Sequence, residues 1–324
     1  MHNISVVIPV YRGESTLAST VTEILKYSAD SITPGGAEYR ISEILIVHDN
    51  GPDDSEEVIR SLCIERERVR AVWLSRNFGQ HAATLAGMAS SAGDWVVTLD
   101  EDGQHDPADI AGMLDAALAN RAQVVYGRPL NPPPHGWFRN FASRVSKAIA
   151  VRLSGSPHAA EFNSYRLMLG SVARGVAAYA GPGVYLDVAL GWVAGKYATS
   201  PITLRGEQRA SGYSFRSLAS HFWRLVISSG TRLLRVVTVA GVALAIIGIL
   251  AAVWIIVIKL GFGINSEGWA STVVFMLVGF GAILFALGII AEYVGANVNM
   301  AMGKPAYVIT TDPANGPLGA KHPE

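Results

Sequence analysis

In DWVVTLDEDGQHDP, residues 94–107, a β-branched apolar run stops at three acids and a glutamine. Trp95 to Thr98 shows no apolar–polar alternation, which is how a strand buried on both faces reads. The polar group that follows has two readings. One is a solvated turn. The other is a metal site, because adjacent carboxylates repel and need compensation. Hard oxygen ligands suit Mg²⁺ or Mn²⁺, ions that also bind substrate phosphates. In a loop, residues two apart can share a face, which groups Asp100, Asp102 and Gln104. Asp106-Pro107 reads instead as the start of the next helix, with aspartate as cap and proline in its first turn.

The same pattern recurs on both sides of this stretch. ISVVIPVY (residues 4–11), SEILIVHDN (42–50), VRAVWLS (69–75) and AQVVYG (122–127) are further short apolar runs. Helix-like segments lie between them, over residues 15–27, 55–67, 79–91 and 107–120. Strands apolar throughout and alternating with helices predict a mostly parallel α/β sheet covered on both faces. Ligands of such sheets bind at the carboxyl ends of the strands. Tyr11, Asp49, Asn50, Arg76, Asn77 and the acids from Asp100 all fall there. Asp49 is read as a nucleotide-side group, and Asp53, Asp54 or Ser55 as a helix cap.

Composition separates this region from the rest. The 324 residues hold 26 basic and 26 acidic side chains, so no net charge favours nucleic acid, and none is expected as a partner. Half the residues are hydrophobic and mean hydropathy is +0.30, which points to a membrane part. The single cysteine, Cys63, excludes an internal disulfide framework. There is no Gly-rich phosphate loop, no nucleophile elbow and no histidine pair at zinc spacing.

The apolar excess lies in two runs, about 233–260 and 270–292, each near the roughly 20 residues that span a bilayer. Trp254 and Trp269 sit near their ends. Arg216, Arg224, Arg232 and Arg235 precede the first run, and Lys304 and Lys321 follow the second. The positive-inside rule puts both termini, and the α/β region with them, in the cytoplasm, with a short outer linker. Residues 215–232 mix bases with Phe222, Trp223 and Leu225, as an interfacial amphipathic helix does. Gly241, Gly248, Gly279 and Gly288 permit close helix approach, the basis for expecting a homo-oligomer. The expected organisation is therefore a domain at 1–214, an interfacial helix at 215–232, a transmembrane hairpin at 233–292 and a cytoplasmic tail at 293–324. The Pro/Gly-rich part of that tail after Val308 is expected to be loose.

VVIPVY, VHDNGPDDS, LSRNFGQHAATLAGMASSAGDWVVTLDEDGQHDP, VVYGRP, NSYRLM and AEYVGANVNMAMGKPAYVI occur in that order. Together they resemble the polyprenyl-phosphate glycosyltransferases of the GT-A, family 2 group. Dolichol-phosphate mannose synthase and the bacterial GtrB- and ArnC-type enzymes belong to that group. The resemblance implies a Rossmann-like GT-A domain followed by a membrane hairpin in the bacterial inner membrane. It implies inverting transfer of a sugar from a nucleoside diphosphate to the phosphate of a membrane polyprenol. It places Asp102 and Gln104 on Mg²⁺ or Mn²⁺. It assigns Pro9, Tyr11, Glu14, Asp49, Asn77, Gln80, Asp100 and Glu101 to the nucleotide sugar. Arg128, Arg139 and Arg209 join Asp100 and Asp102 at the reacting centre, and Arg139, Ser143 and Arg209 face the acceptor phosphate. Arg205 competes with Arg209 for that last role, and Arg209 is favoured.

The chain departs from the group's pattern at four places. His48-Asp49 stands for a pair of aspartates, and Arg12-Gly13 for Asn-Glu. RGEQRASGYS differs from the usual arginine loop. Asn163 and Ser164 occupy positions where many relatives have an acid. Two other readings follow from the residues. One is a related transferase using a hydroxyl acceptor, with Asp187 as the base. The other is a non-catalytic membrane scaffold, against which the acid cluster and arginines speak.

Overall fold

The computed structural model describes residues 1–130, 162–205, 232–262 and 268–315. Of the interfacial helix expected at 215–232, all but its last residue lies outside these residues. So do Arg139, Ser143 and Arg209.

Strand β1 (His2–Val10) forms the centre of a sheet because its residues are buried from Ile4 to Val10 and hydrogen-bonded on both sides. Then follow α1 (Leu17–Leu25), the two-residue β2 (Ser31–Ile32), β3 (Glu38–His48), α2 (Ser55–Glu65) and β4 (Val69–Leu74). Next come α3 (Gln80–Ala89), β5 (Trp95–Thr98), α4 (Asp109–Asn120) and β6 (Val124–Pro129). After the undescribed stretch the chain resumes with β7 (Arg166–Leu169), α5 (Gly170–Tyr179), α6 (Leu186–Val193) and β8 (Tyr197–Ile202).

The main path of the sheet runs β8-β6-β7-β5-β1-β3-β4, extended at the far edge by a strand from the C-terminal tail. Strand β1 is parallel to β3 and β5, β3 to β4, and β6 to β8, whereas β7 runs antiparallel between β5 and β6. The expected mostly parallel α/β sheet is therefore present, with one reversed strand that sequence patterning did not reveal. RLML is too short, and too close to a polar motif, to stand out as a strand.

Each face of the sheet carries its own core. Ile4, Val6, Ile8 and Val10 point to the face covered by α1, α2 and α4. Val7, Leu45 and Val47 point to the other, with α3, α5 and α6. Helix α1 buries Leu17, Thr20, Val21 and Ile24, and α4 buries Ile110, Met113, Leu114 and Ala117. Both follow the 3.6-residue period of a helix packed along one stripe. The proline at 107 precedes α4, and the Asp106 carboxylate accepts the Ala108 N–H at 2.9 Å, close to its expected capping role.

Two long helices follow, α7 (Arg232–Phe262) and α8 (Trp269–Ala301). Both contain windows apolar enough to cross a bilayer, Leu234–Ala251 and Val278–Ala301, with 0% and 6% of each buried in the protein. Side chains this apolar and this exposed, such as Val239, Ile249, Leu284 and Phe285, make both helices candidates to cross a bilayer. Helix α8 continues nine residues past Glu292, beyond the expected end of the second span.

The tail departs from expectation. Strand β9 (Ile309–Thr310) pairs antiparallel with Trp73 and Leu74 of β4, and Ser75 N–H donates to Val308 C=O at 3.0 Å. Asp312 accepts from Arg60 Nε and Nη2 at 2.8–3.1 Å, and the Arg60 guanidinium lies 5.2 Å from the Trp73 ring centroid. The short apolar run YVIT binds there because β4 presents unpaired backbone groups, which an added strand satisfies. The segment just after Val308, expected to be loose, is thus fastened through Asp312. Deleting residues 308–324 should expose the β4 edge. Amide exchange at Ser75 and its neighbours is then expected to accelerate at least about tenfold, measured by mass spectrometry.

Candidate active site

Chain order and space order diverge at β1. The chain moves outward through β3 and β4 and then returns to place β5 on the opposite side of β1. A crevice opens at the carboxyl ends of strands flanking such a reversal. The loop after β1 (Tyr11–Gly13) and the acid loop after β5 (Leu99–Gln104) meet there. Their link is direct: Glu101 accepts the Tyr11 N–H at 2.9 Å and the Arg12 N–H at 3.1–3.2 Å. Glu101 therefore ties the loop after β1 to the acid loop.

The β1 loop also rests on Gly51. A Cβ there would lie 1.8 Å from Tyr11 C=O, so only glycine fits beneath it. Gly51→Ala should force the two loops apart and lower stability by about 1–3 kcal/mol, read by thermal unfolding.

Asp49 ends β3 and is 3% exposed. Its carboxylate accepts the Phe78 N–H at 2.7 Å and the Gly79 N–H at 2.8 Å. Burial pushes this carboxyl up, and the two amide bonds oppose the rise. Asp49 thereby shapes the turn into α3, where Gly79 adopts φ +93°, a conformation that favours glycine. That turn presents Asn77, which is exposed, and Gln80, whose Nε2 donates to Asp100 Oδ1 at 2.7 Å.

Asp100 has a second partner, the Ser164 hydroxyl, which donates to Oδ2 at 2.5 Å. The Asp100 N–H donates to His105 Nδ1 at 3.2 Å, and the His105 ring stacks on Tyr165 at 4.7 Å. Asp102 differs. Its Oδ1 accepts the Gln104 N–H at 3.0 Å, the one donor from another residue among those described. Burial pushes the Asp102 carboxyl up; the Gln104 amide opposes this and the Asp100 charge adds to it. A half-buried carboxylate that is short of donors and beside a second acid suits a cation.

Among the described residues, no three His, Cys, Asp or Glu side chains gather as a metal cluster. Mg²⁺ does not need one, since it commonly takes one or two protein carboxylates and completes its shell with phosphates and water. The donor chemistry at Asp102 and Gln104 therefore fits a hard divalent ion.

The other expected residues fall at varied depths. Tyr11 is 40% exposed at the mouth. Glu14 is exposed and its N–H donates to Asp53 at 3.2 Å, while Pro9 is buried in β1 opposite Val47. Arg128 is exposed at the carboxyl end of β6, on the same edge of the sheet. Arg205 pairs with Glu23 at 2.5 Å and Asp106 at 2.8 Å, which leaves it engaged by two acids.

Two features escaped the sequence. One is the bond from Ser164 to Asp100. The other is a buried ion pair between Arg166 and Asp187, 3% and 2% exposed, to which the Tyr126 hydroxyl also donates at 3.0 Å. An acid inside the apolar-looking helix YLDVALGW was the only available signal. Asp187 is thus tied into the core, which removes it as a base for a hydroxyl acceptor.

Comparison with known proteins adds the following. A family model for glycosyl transferase family 2 matches residues 5–175. An undecaprenyl-phosphate 4-deoxy-4-formamido-L-arabinose transferase from Proteus mirabilis is 30% identical over 320 residues, covering 95% of this chain and 93% of the relative. The protein of the same name from Edwardsiella ictaluri is 30% identical, covering 94% and 93%. Among solved structures, glucosyl-3-phosphoglycerate synthase from Mycobacterium tuberculosis superposes with a TM-score of 0.49 at 16% identity, over 70% of this chain and 78% of that one.

Proposed function

Given that the chain belongs to glycosyl transferase family 2, we propose that it moves a sugar from a nucleoside diphosphate sugar to a polyprenyl phosphate in the membrane. The observation that carries this reading is the extent of the likeness. It runs through the catalytic domain and both bilayer-length helices, to relatives named for an undecaprenyl-phosphate acceptor.

The chemistry fits the residues present. A phosphate oxygen of the lipid attacks the anomeric carbon from the face opposite the departing diphosphate, so configuration inverts. The nucleophile is already anionic and needs no strong base, in keeping with a buried, paired Asp187. The barrier is chiefly charge developing on the leaving diphosphate. Asp102 and Gln104 would hold Mg²⁺ or Mn²⁺, which supplies charge neutralisation there. Gln80 and Ser164 orient Asp100 toward the donor. The Tyr11 loop, clamped by Glu101, forms the nucleotide side with Asn77 and Glu14. Arg128 faces the same edge. The resemblance assigns Arg139, Ser143 and Arg209 to the acceptor phosphate.

A lipid acceptor also accounts for the hairpin, since the reacting phosphate sits at headgroup level. The basic residues Arg232 and Arg235 in the first turn of α7, and Lys304 after α8, favour both ends in the cytoplasm of an inner-membrane protein. The glycines along α7 and α8 have open space around them, as helices that pack against further copies would.

The test is transfer in membranes containing the protein. Labelled UDP- and GDP-sugars are supplied singly with polyprenyl phosphate and Mn²⁺ or Mg²⁺. Label entering the organic phase, and lost on chelation, is the expected result. Folded protein that labels no lipid with any donor would overturn the acceptor assignment.

A further inference from the structure

The position of Ser164 is held by more than its own bond. Its C=O accepts the Thr98 hydroxyl at 2.5 Å, and Thr98 Oγ1 accepts Arg166 Nε at 3.2 Å. Arg166 is fixed in turn by Asp187, which also accepts from Tyr126. The path runs from α6 through β7 and β5 to the acid loop, and each link is a hydrogen bond or ion pair. It ends with the Ser164 hydroxyl at 2.5 Å from Asp100 Oδ2, opposite Gln80 on Oδ1.

We propose that Ser164 is a positioning residue for sugar transfer. With Gln80 it gives each oxygen of Asp100 a side-chain donor, so that Asp102, which has none among the described residues, is the acid of the pair left more open to a divalent ion. The proposal rests on the transferase reading above. It gives a purpose to an ion pair buried at a cost in desolvation. A carboxylate at position 164 would add repulsion beside Asp100 and Asp102, whereas a hydroxyl donates.

The experiment compares Ser164→Ala and Ser164→Thr with wild type by two readouts. The first is steady-state transfer to polyprenyl phosphate. Loss of a hydrogen bond to a charged group should lower kcat roughly 10- to 100-fold in Ser164→Ala. The donor KM should move less than about threefold, because Asp100 keeps its bond from Gln80 and the Tyr11 loop and Asn77 are unchanged. Ser164→Thr keeps the hydroxyl and should recover most of kcat. The second readout is binding of Mn²⁺ alone, followed by electron paramagnetic resonance on the full-length protein. Release of Asp100 Oδ2 lets both acids reach the ion, so Ser164→Ala should bind Mn²⁺ severalfold tighter while turning over more slowly. A merely structural serine would weaken both together.

Wild-type kcat in Ser164→Ala, failure of Ser164→Thr to restore activity, or unchanged or weaker Mn²⁺ binding would each overturn the proposal. If wild type transfers no sugar from any donor, the transferase reading fails, and the Mn²⁺ titration still decides the positioning role.

Discussion

Asp102→Asn is expected to lower sugar transfer by about 10³-fold or more, the usual scale when the main stabiliser of developing charge is removed. The side chain keeps its size and can still accept the Gln104 N–H, so the loop should hold its shape. What disappears is the negative charge. Wild type places Asp100 and Asp102 within one short loop, and the less satisfied of this pair carries a carboxyl pushed up by burial. Asparagine relieves that strain and should leave stability equal or slightly higher, while Mn²⁺ binding by the free protein is lost. Stable protein with near-normal transfer would show that the acids form a solvated turn. Asp100→Asn should be less severe for Mn²⁺ binding, since protein donors already occupy both of its oxygens.

The second large effect concerns the pair beneath the site. Arg166→Met or Asp187→Leu alone leaves a buried charge without its partner, which costs about 3–5 kcal/mol. Denaturant unfolding of the detergent-solubilised protein should reveal it. The double change removes both charges and should recover most of that stability, because apolar groups of similar volume fill the same space. Transfer should not recover with it. The double variant lacks the Arg166 Nε that donates to Thr98, and with it the anchor for Ser164. Recovery of both stability and activity would confine the pair to a packing role. Equal instability of single and double variants would show that the pair itself stabilises the fold.

These two expectations differ in how far they were legible beforehand. Asp102 stands in a stretch whose meaning is local: an apolar strand, a polar stop, and acids at alternating positions. The parallel strands 4–11, 42–50, 69–75, 94–100 and 122–127 were equally legible, each within a few residues of its observed bounds. So were the two membrane-length helices, because bilayer thickness demands a long uniform apolar run that little else produces. Family membership followed from the order of motifs along the chain.

Other parts depend on partners distant in sequence. Ser164 meets Asp100 across 64 positions, Arg166 meets Asp187 across 21, and Arg60 meets Asp312 across 252. Periodicity contains no trace of such pairings. The reversed strand β7 was hidden because four residues beside a polar motif have no pattern of their own. Strand β9 was hidden because a two-residue edge strand is defined by the unpaired backbone of β4 rather than by its own composition. The anchoring of the β1 loop by Glu101 was hidden for the same reason, since the Tyr11 and Arg12 amides it accepts lie about ninety residues away.

By itself the sequence determined the fold class, two helices long and apolar enough to cross a bilayer and the location of the acid loop, all set by local hydrophobic patterning. Only the tertiary structure decided which acid receives side-chain donors on both oxygens and which receives none from the described residues. That depends on directional hydrogen bonds, and their donors converge only after the strands have paired.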